Sequence, residues 1–535
     1  MAPVNQTRSA AGEHNIWLVA IVVSLATMME VLDTSIANVS LQHIAGGLAA
    51  SRDEGTWVLT SYLVSNAVVL PISGWLSRIV GRKRFYMLCV ALFGASSLLC
   101  GIAPSLGWLI FFRVLQGLGG GGLAPSEQSI LADTFPPEKR GQAFALYGVA
   151  VVVAPTVGPT LGGWITDSYS WRWIFLINVP VCLLSLSLAG SLLVDPPAVQ
   201  EERRSARAAK SRLDFLGILF VSLGLGCMQV VLDKGQEDDW FASDLIVVFS
   251  IISALSLVFL VVWELEQEDP IVDLPLMRNR SFATSMGMMF VTGFVLISTT
   301  QLLPQYLQSM MGYTAMKAGM ALTAGGAATL VMMPVAGVLT QKIQPKYLIA
   351  FGLTVEALAC YHLRGFTGEI SFAHAAVARA FQGMGLPFLF VPISTISYQG
   401  VPPARTPHAS ALINTMRNLG GSWGISVTTT LLARREQFHH SRLAEGITQL
   451  SPAYQNLEHI ASGPGGIAGG TGPLPPTPVP IAPGALGVAA GIVQRQAELL
   501  SYVEIFAVLA ACCVVAVPLA LTLAKVKPGQ PAAGH

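Results

Sequence analysis

The chain has 535 residues, of which 53% are hydrophobic and only 11% charged, with a mean hydropathy of +0.59. Soluble domains carry roughly 25% charged residues, so the composition excludes a cytosolic enzyme and points to a polytopic membrane protein. Lys plus Arg (31) nearly balances Asp plus Glu (30), which leaves no basic field for nucleic acid.

A helix needs about 20 apolar residues to cross the hydrocarbon core. In chain order, apolar runs predict spans near 16–37, 57–77, 85–103, 108–131, 142–165, 173–194, 214–232, 244–263, 282–307, 318–340, 347–363, 372–397, 408–432 and 502–524. This is an all-α polytopic membrane protein of fourteen transmembrane helices, with no room for a soluble catalytic domain. The first run carries Glu30 and Asp33 and no A-x-A cleavage pattern, so it reads as a span, not a removable signal peptide. The seven cysteines all lie in apolar runs, which argues against a disulfide framework, and metal-type CxxC spacing is absent.

Cationic residues set the orientation, because short cytoplasmic loops collect Lys and Arg. The side of the N-terminus holds Arg8, Arg78, Arg82, Lys83, Arg84, Lys139, Arg140, Arg203, Arg204, Arg207, Lys210 and Arg212. It also holds Arg278, Arg280, Lys342, Lys346, Arg405, Lys525 and Lys527, nineteen in all. The short loops opposite hold five: Arg52, Arg172, Lys234, Lys317 and Arg364. Both termini are therefore expected in the cytoplasm. The connection 433–501 reads as an external excursion whose Gly/Pro-rich stretch, Gly463 to Gly487, is irregular or disordered.

The chain repeats itself. Arg113, Gln116, Gly117, Pro136, Pro137 and Ala143 recur as Arg379, Gln382, Gly383, Pro402, Pro403 and Ala409, every pair 266 residues apart. GWLSRIVGRKRF after the second span returns as GVLTQKIQPKYL after the tenth. The predicted organisation is a cytoplasmic N-terminus (1–15), a six-helix bundle (16–194), a basic cytoplasmic linker (195–213) and two inserted helices (214–263). A cytoplasmic linker (264–281), a second six-helix bundle (282–524, including the external loop 433–501) and a cytoplasmic tail (525–535) follow. Six spans plus an even insert return the chain to the same side, so the halves are parallel repeats. Such halves resemble the major facilitator fold, in which substrate binds between the halves near the midplane.

The segments LDTSIANVSL (32–41), GWLSRIVGRKR (74–84), RVLQG (113–117), APTVGPTLGGW (154–164) and WRWIFLINVPV (171–181) resemble the EmrB/QacA-type family of fourteen-span drug:proton antiporters. The later segments VVLDKGQEDDWFAS (230–243), VWELEQEDPIVDL (262–274) and NTMRNLGGSWGISVTTT (414–430) are most similar to its EmrB branch. Resemblance covers nearly the whole membrane portion but little of 445–500. It implies gating roles for Gly74, Gly81, Arg82 and Lys83 and for the span-five signature Gly158, Pro159, Gly162 and Gly163. One position departs: Arg78 stands where the family motif usually has an acid, so that motif's ion pairing at the cytoplasmic gate is not carried over.

Ionisable residues inside spans cost at least ~2.5–3.5 kcal/mol at the helix centre and are functional hypotheses by default. Glu30 and Asp33 stack on one face of the first span. Asp33 and Arg113 lie at matched depth, so a pair across the central cavity is allowed, and displacing Arg113 would let Asp33 accept a proton. Proton exchange at Asp33 is favoured over a purely structural pair; Glu30 is a second acid or a contact for cationic substrate. Span nine has no carboxylate from Phe282 to Tyr313, which biases the expected proton machinery to the N-terminal half. Asn38, Asn66, Gln116, Arg379, Gln382, Asn414 and Arg417 are candidate cavity residues, although interhelical bonding is the commoner use of such groups. Glu356 reads as snorkelling or interhelical, and Glu127 as solvated near the cytoplasmic end of span four. The glycines at 117 and 119–122 lack the lysine and strand of a phosphate loop and fit close helix packing instead. Gly158-Pro159 permits a bend.

The expected function is proton-coupled export of amphipathic or hydrophobic compounds by alternating access, with no cofactor beyond the proton gradient and no enzymatic site. The resemblance implies a bacterial inner membrane and a tripartite assembly with a periplasmic membrane-fusion adaptor and an outer-membrane channel. Rival readings are a dedicated exporter of fatty acids, bile salts or a metabolite, and a non-transporting receptor on the same fold.

Overall fold

The computed structural model describes residues 15–195, 200–201, 214–267, 269–445 and 485–523. The segment with Arg8, the linker cations Arg203, Arg204, Arg207, Lys210 and Arg212, the tail with Lys525 and Lys527, and most of Gly463–Gly487 lie outside the described residues. No strand occurs among the described residues.

Fourteen helical segments follow the predicted spans. In the N-terminal half they are α1 (Ile16–Val39), α2 (Arg52–Val80), α3 (Arg82–Gly101), α4 (Leu106–Thr134), α5 (Arg140–Ser168) and α6 (Trp173–Leu192). The insert comprises α7 (Phe215–Lys234) and α8 (Asp244–Glu266). The C-terminal half has α9 (Arg280–Ser309), α10 (Ala315–Leu339), α11 (Pro345–Leu363), α12 (Phe372–Ser397), α13 (Thr406–Glu445) and α14 (Ala485–Leu521). Twelve are long and apolar enough to cross a membrane. The two that fall short are α11, with Lys346, Glu356 and His362, and α13, with Asn414, Arg417, Asn418 and a charged end beginning at Arg434. Their polarity is used inside the protein, as described below.

The helix boundaries have local causes. Ser51 starts α2 with a capping box: its Oγ accepts from the Glu54 amide, and the Glu54 carboxylate accepts from the Ser51 amide. Gly81 joins α2 to α3 at φ +99°, a conformation that only glycine takes easily. α4 is interrupted at Gly121-Gly122, and its glycines lie against the backbones of Tyr62, Asn66 and Phe93, as close packing requires. α5 runs through Pro155 and Pro159 as one helix; Gly158 and Gly162 let it press on Ser35 and Ile36 of α1.

Packing repeats with the sequence. α1 packs on α5, α2 and α3 on α4, and α3 on α6; α9 packs on α13, α10 and α11 on α12, and α11 on α14. The halves meet along two seams, α5 with α10 and α2 with α13, which exchange under the repeat. α7 covers α2 and α13, with α8 outside it. The 433–501 connection differs from expectation. α13 continues to Glu445 and α14 begins at Ala485, and Arg435 and His439 each meet Glu504 at 3.1 Å. Its flanks are helical because charged sequence forms helix readily once outside the hydrocarbon, where hydropathy no longer marks it.

Candidate functional site

Inside the N-terminal half, α1, α3, α4 and α6 enclose an ion pair. Arg113 Nη1 donates to Asp33 Oδ2 at 2.6 Å, with both side chains all but excluded from solvent. The Asp33 Oδ1 atom accepts from Gln116 Nε2 at 3.0 Å and from Asn178 Nδ2 at 2.6 Å. Ser97 Oγ accepts from the same two amides at 2.7 and 2.9 Å. The guanidinium also donates through Nε to the Val58 carbonyl at 3.1 Å and stacks over Tyr62, 4.3 Å from the ring centroid. A carboxylate with three charge-assisted or amide donors is held in one geometry. The pair lies within one half, and not across the central cavity as the depth match had suggested.

One helical turn away, Glu30 faces the seam between the halves. Its Oε1 accepts from Tyr62 Oη at 2.9 Å and from Asn66 Nδ2 at 3.2 Å, and Asn66 Oδ1 accepts from Asn418 Nδ2 of α13 at 3.2 Å. A second chain crosses the same seam. Arg417 Nη1 donates to Tyr147 Oη at 2.7 Å, Tyr147 donates to Asn414 Oδ1 at 2.8 Å, and Asn414 Nδ2 donates to Gln128 Oε1 at 2.9 Å. Tyr398 Oη also donates to Gln128 Oε1, at 3.1 Å. Glu127 is not solvated: it is fully buried and bonded to Ser24 of α1, because the interruption in α4 turns its lower half into the bundle.

The candidates thus separate into three groups. Asp33, Arg113 and Gln116 form the buried pair, while Glu30, Asn66, Asn414 and Arg417 share the seam between halves. Arg379 and Gln382 lie inside the C-terminal half, where both contact Thr299. Asn38 is exposed in the last turn of α1 and reaches none of these groups. Asn178, Ser97, Gln128, Tyr147 and Tyr398 were missed; the available signal was a polar side chain in an otherwise apolar span.

The basic face closes the seam. Gly74 sits against the backbone of Pro407 and His408, and Gly141 against Gly337. Arg82 pairs with Asp133 and donates to the Pro403 carbonyl of the other half at 3.0 Å. Lys83 stays within its own half, its Nζ donating to the Gly190 carbonyl at 2.7 Å. Arg78, the departure from the family motif, pairs with Asp269 of the connection after α8, while Asp273 of that connection pairs with Arg405 at 3.4 Å. The connection thus joins one half to the other. Burial pushes the Asp273 carboxyl above the usual aspartate range, and Arg405 pulls the other way. Gly163 lies 4.0 Å from Met316 of α10 for an added Cβ, so the α5–α10 seam extends toward the opposite face.

The Major Facilitator Superfamily model matches residues 23–425. The chain is 40% identical over 464 residues to the probable multidrug resistance protein EmrY of Escherichia coli (strain K12), covering 86% of this chain and 88% of that one. It is 38% identical over 442 residues to the multidrug export protein EmrB of the same strain, covering 82% and 85%. It is also 38% identical over 449 residues to the fatty acid resistance protein FarB of Neisseria gonorrhoeae, covering 83% and 86%. Among solved structures, the proton:xylose symporter XylE bound to 6-bromo-6-deoxy-D-glucose shares the fold, with a TM-score of 0.60 at 13% identity over 96% of this chain and 97% of that one.

Proposed function

The chain belongs to the major facilitator superfamily of membrane transporters, and from that premise we propose that it is a proton-driven exporter of amphipathic and hydrophobic compounds. The observation that carries the reading is the buried Asp33–Arg113 pair with its neutral donors Gln116 and Asn178. An ion pair in such a place is retained at a cost in desolvation and marks a switch more readily than a brace. A proton arriving on Asp33 cancels the attraction that holds Arg113, and the guanidinium is then free to change partners. Glu30, three residues away on the same face, links that event to the seam through Asn66 and Asn418. Substrate entering the seam replaces these hydrogen bonds, so loading and proton release act on one network.

In this proposal the basic face is cytoplasmic, the membrane is the bacterial inner membrane, and both termini are cytoplasmic. The energetics suffice: each entering proton supplies about 2.3 kcal/mol per 100 mV and about 1.4 kcal/mol per pH unit. Relatives named for multidrug resistance and multidrug export support the substrate class, and in this reading a periplasmic adaptor with an outer-membrane channel would complete the route. One observation favours an anionic amphipath as a second reading: Arg417 on the seam donates to the neutral Tyr147 hydroxyl and has no carboxylate at ion-pair distance among the described residues, although Glu30 and Glu127 lie within its field. The relative named for fatty acid resistance supports it.

The test uses inside-out vesicles holding a pH gradient, to which lipophilic cations and anionic detergents are added in turn. The native protein discharges the gradient with at least one compound, and Asp33→Asn at equal expression does not. Ligand binding with no discharge by any compound would instead favour the receptor reading.

A further inference from the structure

The repeat that relates Arg113 to Arg379 and Gln116 to Gln382 also relates Asp33 to Thr299, at the same spacing of 266. The structure places Thr299 accordingly. Gln382 Nε2 donates to Thr299 Oγ1 at 2.9 Å, as Gln116 donates to Asp33. Arg379 Nη1 approaches Thr299 Oγ1 at 3.3 Å and its Nη2 donates to Thr300 Oγ1 at 2.8 Å. The C-terminal half has thus rebuilt the Arg-Gln cluster around a hydroxyl, and Arg379, 1% exposed, has lost the carboxylate its counterpart has.

The missing acid comes from another helix. Glu356 of α11 is fully buried, and its carboxyl faces Gln382 and Arg379. Among the described residues its carboxyl has no ion pair, and its one polar side-chain partner is Gln382, at a geometry too loose for a well-formed hydrogen bond. The Oε1 atom lies instead against Gly385, 3.1 Å from where a Cβ would stand. From its own helix Cys360 faces it, from α14 Cys513, from α12 Arg379 and Gln382; Arg379 is the one cation in this set. An isolated carboxylate ion is not kept in an apolar interior; such a side chain holds its proton or finds a cation. The acid-free span nine biased the expected proton machinery to the N-terminal half, and Glu356 places a buried carboxyl beside the Arg-Gln cluster of the other half. The acid beside Arg379 stands on α11, which packs on α12 and α14.

We propose that Glu356 is a second proton-carrying site, built into the C-terminal half beside Arg379 as Asp33 is beside Arg113. In the state described, the N-terminal pair is formed and the C-terminal pair is open, with the proton on Glu356. In the alternate state Glu356 gives up that proton and pairs with Arg379. Each transport cycle then exchanges one proton through each half. This rests on the proton-driven reading above and sets its stoichiometry.

Two measurements test it. In pH-difference infrared spectra of the purified protein, the native chain shows a protonated-carboxyl C=O band, one component of which is absent in Glu356→Gln and present in Asp33→Asn. In liposomes held at one pH unit of gradient, Glu356→Gln sustains a limiting substrate gradient about tenfold smaller than native, the ratio for one proton fewer. An unchanged infrared spectrum, or an unchanged limiting gradient, overturns the proposal. If Glu356→Gln does not transport, the spectrum alone decides. If the native protein shows the Glu356 band but no pH-driven gradient at all, the exporter reading fails, and the proposal's stoichiometric half fails with it.

Discussion

Arg113→Met should destabilise the folded protein by about 3–5 kcal/mol, the usual result of stripping one partner from a buried ion pair. The physical reason is Asp33: with Arg113 gone, its carboxylate keeps Gln116 and Asn178 but loses its counter-charge in a place water does not reach. The lost Val58 and Tyr62 contacts add to the effect. Asp33→Asn should also be costly, because it leaves the buried Arg113 guanidinium, which cannot shed its proton, without a counter-charge, and the double variant Asp33→Asn/Arg113→Met should be more stable than Arg113→Met alone. Unfolding in mixed micelles with rising SDS fraction measures all four proteins. If Arg113→Met stays within about 1 kcal/mol of native, the pair is not the buried switch described.

The second large effect is conformational. A side chain added at Gly74 would stand 2.8 Å from the His408 Cα and 2.9 Å from the Pro407 carbonyl, and neither backbone atom can yield as a flexible side chain could. Gly74→Leu should therefore hold the halves apart on the basic face while leaving each bundle folded, with transport reduced at least tenfold. In a Ser410→Cys background, the thiol at this buried position should react with an impermeant reagent from the basic face only when Gly74→Leu is also present. Gly46→Leu, at a position with open space around it, serves as the control and should leave both readouts unchanged. Native transport by Gly74→Leu would remove the seam contact from the mechanism.

What the sequence revealed and what it hid differ in kind. Span positions, the parallel repeat and the Asp33–Arg113 pairing were legible because hydropathy, constant spacing and intramembrane charge are each one-dimensional signals. The polar shell around Asp33 was not: Asn178, which donates to its carboxylate, and Ser97, which accepts from Asn178 and Gln116, are unremarked polar residues in apolar helices, and only the packing of α3, α4 and α6 brings them together. The seam network was partly visible in Asn414 and Arg417, but their partners Tyr147 and Gln128 lie over 260 residues away in the chain. Arg78 looked like a broken motif because its acid, Asp269, sits 191 residues later in a connection that the repeat does not contain. Glu356, read as snorkelling or interhelical, is interhelical: it is buried and faces Gln382 and Arg379 of α12. Its place beside Arg379 was hidden because the repeat counterpart of Asp33 is Thr299, whereas the nearby acid stands on a different helix.

The central claim is that proton movement alone drives substrate across the membrane. Purified protein in liposomes with an acidic lumen, an alkaline bath and no nucleotide tests it, using permanently charged lipophilic cations and anionic detergents. The account predicts that at least one of these accumulates in the lumen, that a protonophore abolishes the accumulation, and that Asp33→Asn never achieves it. Equal distribution of every compound across the membrane, by native protein that demonstrably binds one of them, would contradict it.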